Sequence, residues 1–184
     1  DTPREVWRFG KPGEPFYDSL IKVIHLRYRL LPYIYSLAGK VHRENYTMTR
    51  TLAFDFAKDM QVADLKDEFM FGPALLVAPV TNPMYYSVDS NPLGNVDKTR
   101  RVYLPDGADW IDFWTGKKYK GGQWIVAEAT INEIPLLVRQ GSIIPMGPVM
   151  QYTSEKTDAE WEIRVYPGAD SSFTVYEDAG DNYN

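Results

Sequence analysis

Leu26-Arg27-Tyr28-Arg29-Leu30-Leu31-Pro32-Tyr33-Ile34-Tyr35-Ser36-Leu37-Ala38 decides the fold of this chain. The stretch lies inside a longer helical pattern: Leu20, Val23, Ile24, Tyr28, Leu31, Ile34, Tyr35, Ala38 and Val41 recur at spacings of three and four, the signature of an amphipathic helix. Asp18 or Ser19 is placed to cap its start. Pro32 sits in the middle, where it has no N–H to donate and disfavours helical geometry at Leu31, so a kink or a break is expected there. Around residues 28–37 apolar and aromatic side chains cover more than one face. Such a helix packs on two sides and belongs inside a larger assembly.

Outward from the helix the character of the chain changes in both directions. Residues 1–16 hold Pro3, Gly10, Pro12, Gly13 and Pro15 and read as loop. Beyond a mixed stretch at 44–68, in which 51–56 alternates like a short strand, the period falls to two. Strands are expected at 74–80, 101–104, 110–113, 117–120, 123–127, 135–139 and 142–145, then at 162–166 and 172–176. Pro105-Asp106-Gly107, Thr115-Gly116, Gly121-Gly122 and Pro167-Gly168-Ala169-Asp170 separate several of them. Short strands at this spacing predict an antiparallel sandwich or barrel. The fold class is therefore mixed and mainly β.

With 184 residues, 44% of them hydrophobic, the chain has room for one domain or two small ones and enough apolar mass for a core. A net charge of −5 gives no polyanion-binding signal, so nucleic acid is not an expected partner. The clusters Lys98, Arg100, Arg101 and Lys117, Lys118, Lys120 read as solvated strand edges. The absence of Cys excludes disulfides and thiolate metal sites. No apolar run approaches the roughly 20 residues of a membrane span. The chain opens at Asp1 without Met and stops at Asn184 in mid-pattern, as a fragment would.

Groups able to carry chemistry are few. Asp106, Asp109 and Asp112 lie close together, as do Asp55 and Asp59. Paired carboxylates run glycosidic chemistry when they face each other across a substrate, but Asp beside Gly107 is also favoured for turn formation alone. His25 and His42 are 17 residues apart and share no helical face, so no metal site is expected. Ser142 lacks the strand–helix elbow of a nucleophilic serine. Asn45-Tyr46-Thr47 matches a glycosylation triplet, a short pattern common by chance. The oxygen-rich run Glu177-Asp178-Ala179-Gly180-Asp181-Asn182 suits calcium in composition but lacks EF-hand spacing, and an acidic turn is the simpler reading. Trp110, Phe113 and Trp114 crowd one strand and its turn. Exposed, they would hold a sugar ring; buried, they would pack between layers.

Whole phrases add a resemblance. Pro3-Arg4-Glu5-Val6-Trp7-Arg8-Phe9-Gly10 resembles the stretch after the last barrel strand of glycoside hydrolase family 31, and the stretch around Pro32 looks like that family's final barrel helix. Met48-Thr49-Arg50-Thr51-Leu52 resembles the next segment, with Thr51 in place of the usual Pro, as in the α-xylosidase branch. Phe69-Met70-Phe71-Gly72-Pro73-Ala74-Leu75-Leu76-Val77-Ala78-Pro79-Val80 resembles the entry into its C-terminal β domain. Val102-Tyr103-Leu104-Pro105, Trp110-Ile111-Asp112-Phe113-Trp114-Thr115-Gly116, the segment from Ile134 to Pro145, and Tyr176-Glu177-Asp178-Ala179-Gly180 follow in family order.

The resemblance implies that 1–66 is the end of a (β/α)8 barrel, 67–148 a proximal β-sandwich domain and 149–184 the start of a distal β domain. It implies a parent that is a retaining, exo-acting α-glycosidase of α-xylosidase or α-glucosidase type, acting on α-linked oligosaccharides without a cofactor. A bacterial periplasmic or secreted setting is expected over a cytoplasmic one. The two catalytic acids of the family lie on earlier barrel strands whose motifs are absent here, so no catalytic residue is carried over. Arg4, Glu5 and Trp7 fall on a loop expected at the C-terminal rim of the barrel, where active sites sit, so they are candidate substrate contacts, while anchoring the loop is the simpler role for them. The alternative class is a non-catalytic carbohydrate-binding β-sandwich module resting on Trp110, Phe113 and Trp114.

Overall fold

A computed structural model describes residues 5–153, 155 and 159–179. The chain divides into two compact units, one of residues 49–140 and one of residues 1–48 with 141–184.

The second of these units carries the helices. Helix α1 spans Pro15–Arg29 and α2 spans Leu31–Glu44. The expected helix is thus two, and the break falls at Leu30, directly before the proline-bearing first turn of α2. Pro32 is tolerated there because the first N–H groups of a helix have no intrahelical acceptor. The start also differs from expectation: α1 begins at Pro15, capped by the backbone of Glu14, while Asp18 lies in its first turn and accepts from the Gly13 N–H at 3.0 Å. Proline at the first helical position, preset in φ, moves the start ahead of the polar residues. Asn45 closes α2 in the left-handed conformation, φ 53°, a geometry that Asn adopts more readily than most residues.

The unit of residues 49–140 holds eight short strands: β1 (Thr49–Thr51), β2 (Phe69–Phe71), β3 (Leu75–Val77), β4 (Thr99–Leu104), β5 (Trp110–Asp112), β6 (Lys118–Tyr119), β7 (Gln123–Glu128) and β8 (Leu136–Arg139). Six form one antiparallel sheet in the order β1-β2-β3-β8-β5-β6, and β4 pairs with β7 as a separate ribbon. Chain order explains the crossing. The chain leaves the ribbon after Leu104, forms β5 and β6 in the large sheet, and returns at Gly121-Gly122 to β7. Gly122 N–H closes the return on the Leu104 carbonyl at 2.8 Å. Between the layers lie Leu52, Phe56, Met70, Leu76, Val102, Leu104, Trp110, Ile125 and Leu137, all buried. Alternation along β7 puts Ile125 and Ala127 inward and Trp124, Val126 and Glu128 outward, the half-buried pattern of a strand with one face on a core.

In the helical unit β9 (Ile143–Met146) and β10 (Glu162–Val165) pair antiparallel, Ile144 opposite Arg164. Residues 172–176, expected as a strand, are not one. They lie along α2 instead: Phe173 stacks on the buried Tyr33 at 5.2 Å, and Tyr176 N–H donates to Ser36 Oγ at 3.0 Å. The backbone hydrogen bond that a sheet partner would take is given to a helix side chain. Residues 51–56 likewise stop being strand at Thr51 and turn into a short 3-10 helix at Leu52–Phe54.

Candidate functional site

The candidate substrate contacts Arg4, Glu5 and Trp7 belong to the segment before α1. Arg4 lies outside the described residues. Glu5 precedes a 3-10 turn at Val6–Arg8, and its carbonyl accepts from the Arg8 N–H at 2.9 Å. Trp7 is 70% exposed, and Phe9 and Phe16 are also exposed. The loop is tied to the start of α1 by two side chains: Glu14 Oε2 accepts from the Lys11 N–H at 3.1 Å, and Asp18 takes Gly13. The loop therefore presents an uncovered indole from a tied backbone.

Four of the five carboxylates read as possible acid–base groups, Asp55, Asp59, Asp109 and Asp112, have structural work. Asp55 receives both a 2.8 Å and a 2.7 Å bond from the Arg50 guanidinium. Asp59 caps the 3-10 helix Met60–Asp64 through Gln61 N–H and accepts from Tyr103 Oη and from Asp106 N–H, each at 2.8 Å. Burial pushes this carboxyl up, but those hydrogen bonds prevail and hold it below the usual carboxylate range. Tyr103 is pushed up to about 12 by burial and by Asp59. Asp109 pairs with Lys120 at 2.6 Å, and that bond holds it low. Asp112 Oδ1 accepts from Trp114 N–H, Thr115 N–H and Thr115 Oγ, closing the Thr115-Gly116 turn. These groups fix turns and layer crossings.

The three aromatics of the alternative reading are corrected by burial. Trp110 is 0% exposed, donates its indole N–H to the Pro105 carbonyl at 3.2 Å and meets Phe56 at 5.7 Å. Phe113 is buried, and Trp114 is half-buried with its N–H on the Ile134 carbonyl at 2.8 Å. They hold the sandwich together and offer no platform. Sequence reasoning missed the exposed tryptophan of this unit, Trp124, which joins Phe54 and Tyr86 as its exposed aromatics. Its strand runs Trp124-Ile125-Val126-Ala127, apolar throughout, so the period could not say which face points out.

Sequence reasoning also missed Glu68. Its side chain is fully buried, one oxygen accepts from the Tyr103 N–H at 2.9 Å, and Arg100 stands 3.7 Å away. Burial pushes this carboxyl up to about 7. Among the described residues no cluster of three or more His, Cys, Asp or Glu is placed to hold a metal ion. Asp178, from the oxygen-rich run, is taken by the hydroxyls of Tyr35 and Tyr176 at 2.7 and 2.6 Å; residues 180–182 lie outside the described residues. Among the described residues, no helix is long and apolar enough to cross a membrane.

A model of the glycosyl hydrolase family 31 C-terminal domain matches residues 45–144, more than half of the chain, and the TIM-barrel domain model of the same family matches residues 1–37. The chain belongs to glycosyl hydrolase family 31. Its helical segment is the end of a TIM barrel and its sandwich the family's C-terminal domain. An α-xylosidase of Saccharolobus solfataricus is 40% identical over 98% of the chain and 23% of its own length, and α-glucosidase 2 of Bacillus thermoamyloliquefaciens is 32% identical over 98% and 21%. Among solved structures, the family 31 α-xylosidase of Xanthomonas citri superposes with a TM-score of 0.85 at 45% identity, over 96% of this chain and 18% of that one. A family 31 dextranase of Flavobacterium johnsoniae, solved with glucose, gives 0.81 at 37%, over 97% and 20%. The chain thus spans about a fifth of the length of the relatives it matches.

Proposed function

We propose that this chain is the C-terminal part of a retaining, exo-acting α-glycosidase of α-xylosidase or α-glucosidase type, and that its role is to support a catalytic site whose two acids lie elsewhere in the parent. The observation that carries the reading is the fate of its carboxylates. Asp55, Asp59, Asp109 and Asp112 are each spent on a turn, a cap or an ion pair, whereas a retaining glycosidase needs two carboxyl groups about 5 Å apart across the scissile bond. In this reading residues 1–66 lead out of the barrel, 67–148 form the first β domain and 149–184 open the second. Arg4, Glu5 and Trp7 border the substrate at the barrel rim, and the 70% exposure of Trp7 fits an indole that meets a sugar ring.

The test is an assay of the full-length parent and of residues 1–184 alone on p-nitrophenyl α-xyloside and α-glucoside. The parent is expected to turn over at least one and the isolated chain neither. Robust turnover by residues 1–184 would place the catalytic acids in this chain and defeat the reading.

A further inference from the structure

The outer side of the sandwich carries a groove of about 430 Å³, with walls that include Asp67, Asn82, Asp97, Thr99, Arg101 and Trp124. That volume falls in the range of small-molecule sites. Its framework is fixed in advance. Arg100 at its edge donates to Asp67 at 2.8 Å and to the Pro79 carbonyl, and Lys98 donates to the Met84 carbonyl while lying over Tyr85. Trp124 keeps 41% of its surface in solvent, yet it is steadied by the Tyr103 ring at 5.2 Å and the Arg101 guanidinium at 4.7 Å.

The chemistry of this lining selects its ligand. An anion finds Arg100 already taken by Asp67 and approached by Glu68, and meets only Arg101, whose charge stands beside Asp97 and Asp67 in the same lining. A cation finds Asp67 committed to Arg100 and, besides Asp97, two guanidinium groups in the same lining. A purely apolar ligand would strand carboxylate, amide and hydroxyl groups without water. What fits is a neutral polyol with apolar ring faces: hydroxyls for Asp97, Asn82 and Thr99, and C–H faces for the indole. The geometry points to a saccharide site in this groove, one that takes α-linked oligosaccharides. Its choice of α-linked sugars rests on the glycosidase reading above; the groove itself does not.

The test uses the full-length parent with Trp124→Ala and, as a variant at the surface of the fold, Asn82→Ala. Two substrates are compared: the p-nitrophenyl glycoside that the parent cleaves, and an α-linked oligosaccharide of the same sugar. Both variants are expected to raise KM for the oligosaccharide about fivefold, the loss of one stacking or polar contact, with kcat and aryl-glycoside kinetics unchanged. Unchanged KM in both variants overturns the site. So does an equal loss on both substrates together with a lower melting temperature, which marks a structural role. Oligosaccharide titration followed by isothermal calorimetry separates the two readings. Saccharide binding lost in Trp124→Ala upholds the groove even where the parent turns over no α-glycoside. Binding unaltered in that variant overturns the groove even where turnover is normal.

Discussion

The Arg29 carbonyl accepts a hydrogen bond from the Gly147 N–H at 2.7 Å, at the point where α1 stops and α2 begins. The same arginine reaches the Gly147 carbonyl through Nε at 3.4 Å and pairs with Glu162 on β10. A helix interrupted by proline leaves backbone groups to be satisfied from outside, and here the end of β9 supplies the partner. Arg29→Met keeps the aliphatic stem and the backbone bond but removes the ion pair. Both partners are partly exposed, so the expected cost is small, about 0.5–1 kcal/mol, and it shrinks in high salt. Urea unfolding of wild type and variant at low and high salt checks it. A loss above about 2 kcal/mol would show that the side chain, not the backbone, holds the hairpin to the helix break.

Gly39 lies in α2 where a helix former would ordinarily serve better. A Cβ there would stand 2.7 Å from the Tyr176 ring, which also stacks on Tyr35 at 5.5 Å and lies under Arg43 at 3.9 Å. Alanine gains about 1 kcal/mol in helix propensity over glycine, while overpacking typically costs 1–3 kcal/mol. The clash should win, leaving Gly39→Ala about 1 kcal/mol less stable. In a Tyr176→Ala background the same substitution should become stabilising. A double-mutant cycle read by thermal unfolding tests the change of sign; the same sign in both backgrounds would mean that Tyr176 does not set the glycine.

These two sites show what the sequence carried and what it withheld. Pro32 announced the break because proline chemistry is local, and the alternation around Trp110 announced a strand because period two is local. The ordered family phrases then placed helix and sandwich correctly. The behaviour of residues 172–176 was not legible. Their alternation is that of a strand, but their partners, Tyr33 and Ser36, are more than a hundred residues away on a helix. Trp124 was hidden for another reason: apolar neighbours on both faces erase the alternation that would mark it as outward. Asp112 was half legible, its place beside Thr115-Gly116 predicting a turn without revealing that one oxygen serves three donors.

Gly121 and Gly122 return the chain to the ribbon, and they are glycine for different reasons. A Cβ on Gly121 would meet two backbone carbonyl oxygens, of Ala108 and, at 2.5 Å, of Pro105. The Pro105 carbonyl cannot move without unseating Trp110, whose indole N–H it holds. Gly122 has φ +72° but ordinary contacts, with Asp106 Cβ at 3.6 Å. Gly122→Ala should therefore cost about 1 kcal/mol for its left-handed backbone, and Gly121→Ala clearly more, about 2–3 kcal/mol. Chemical denaturation of both variants gives the order. Equal costs would mean that conformation rather than close approach governs the crossing.

Glu68 gives the protein a pH dependence opposite to that of a salt-bridged carboxylate. Burial raises its pKa from 4.5 to about 7 in the folded state, because the charged form loses more solvation than Arg100 at 3.7 Å and the Tyr103 N–H return. The folded state then binds a proton that the unfolded chain releases near 4.5. Its contribution is fully present below that value and is lost as pH rises to about 7, by at most about 3 kcal/mol. Glu68→Gln keeps an acceptor for Tyr103 N–H and cannot ionise. The variant's melting temperature, compared with that of wild type, should rise steadily between pH 5 and pH 8 and level off above. A difference that does not change with pH would show that the buried carboxyl stays charged throughout, with Arg100 as its full counter-ion.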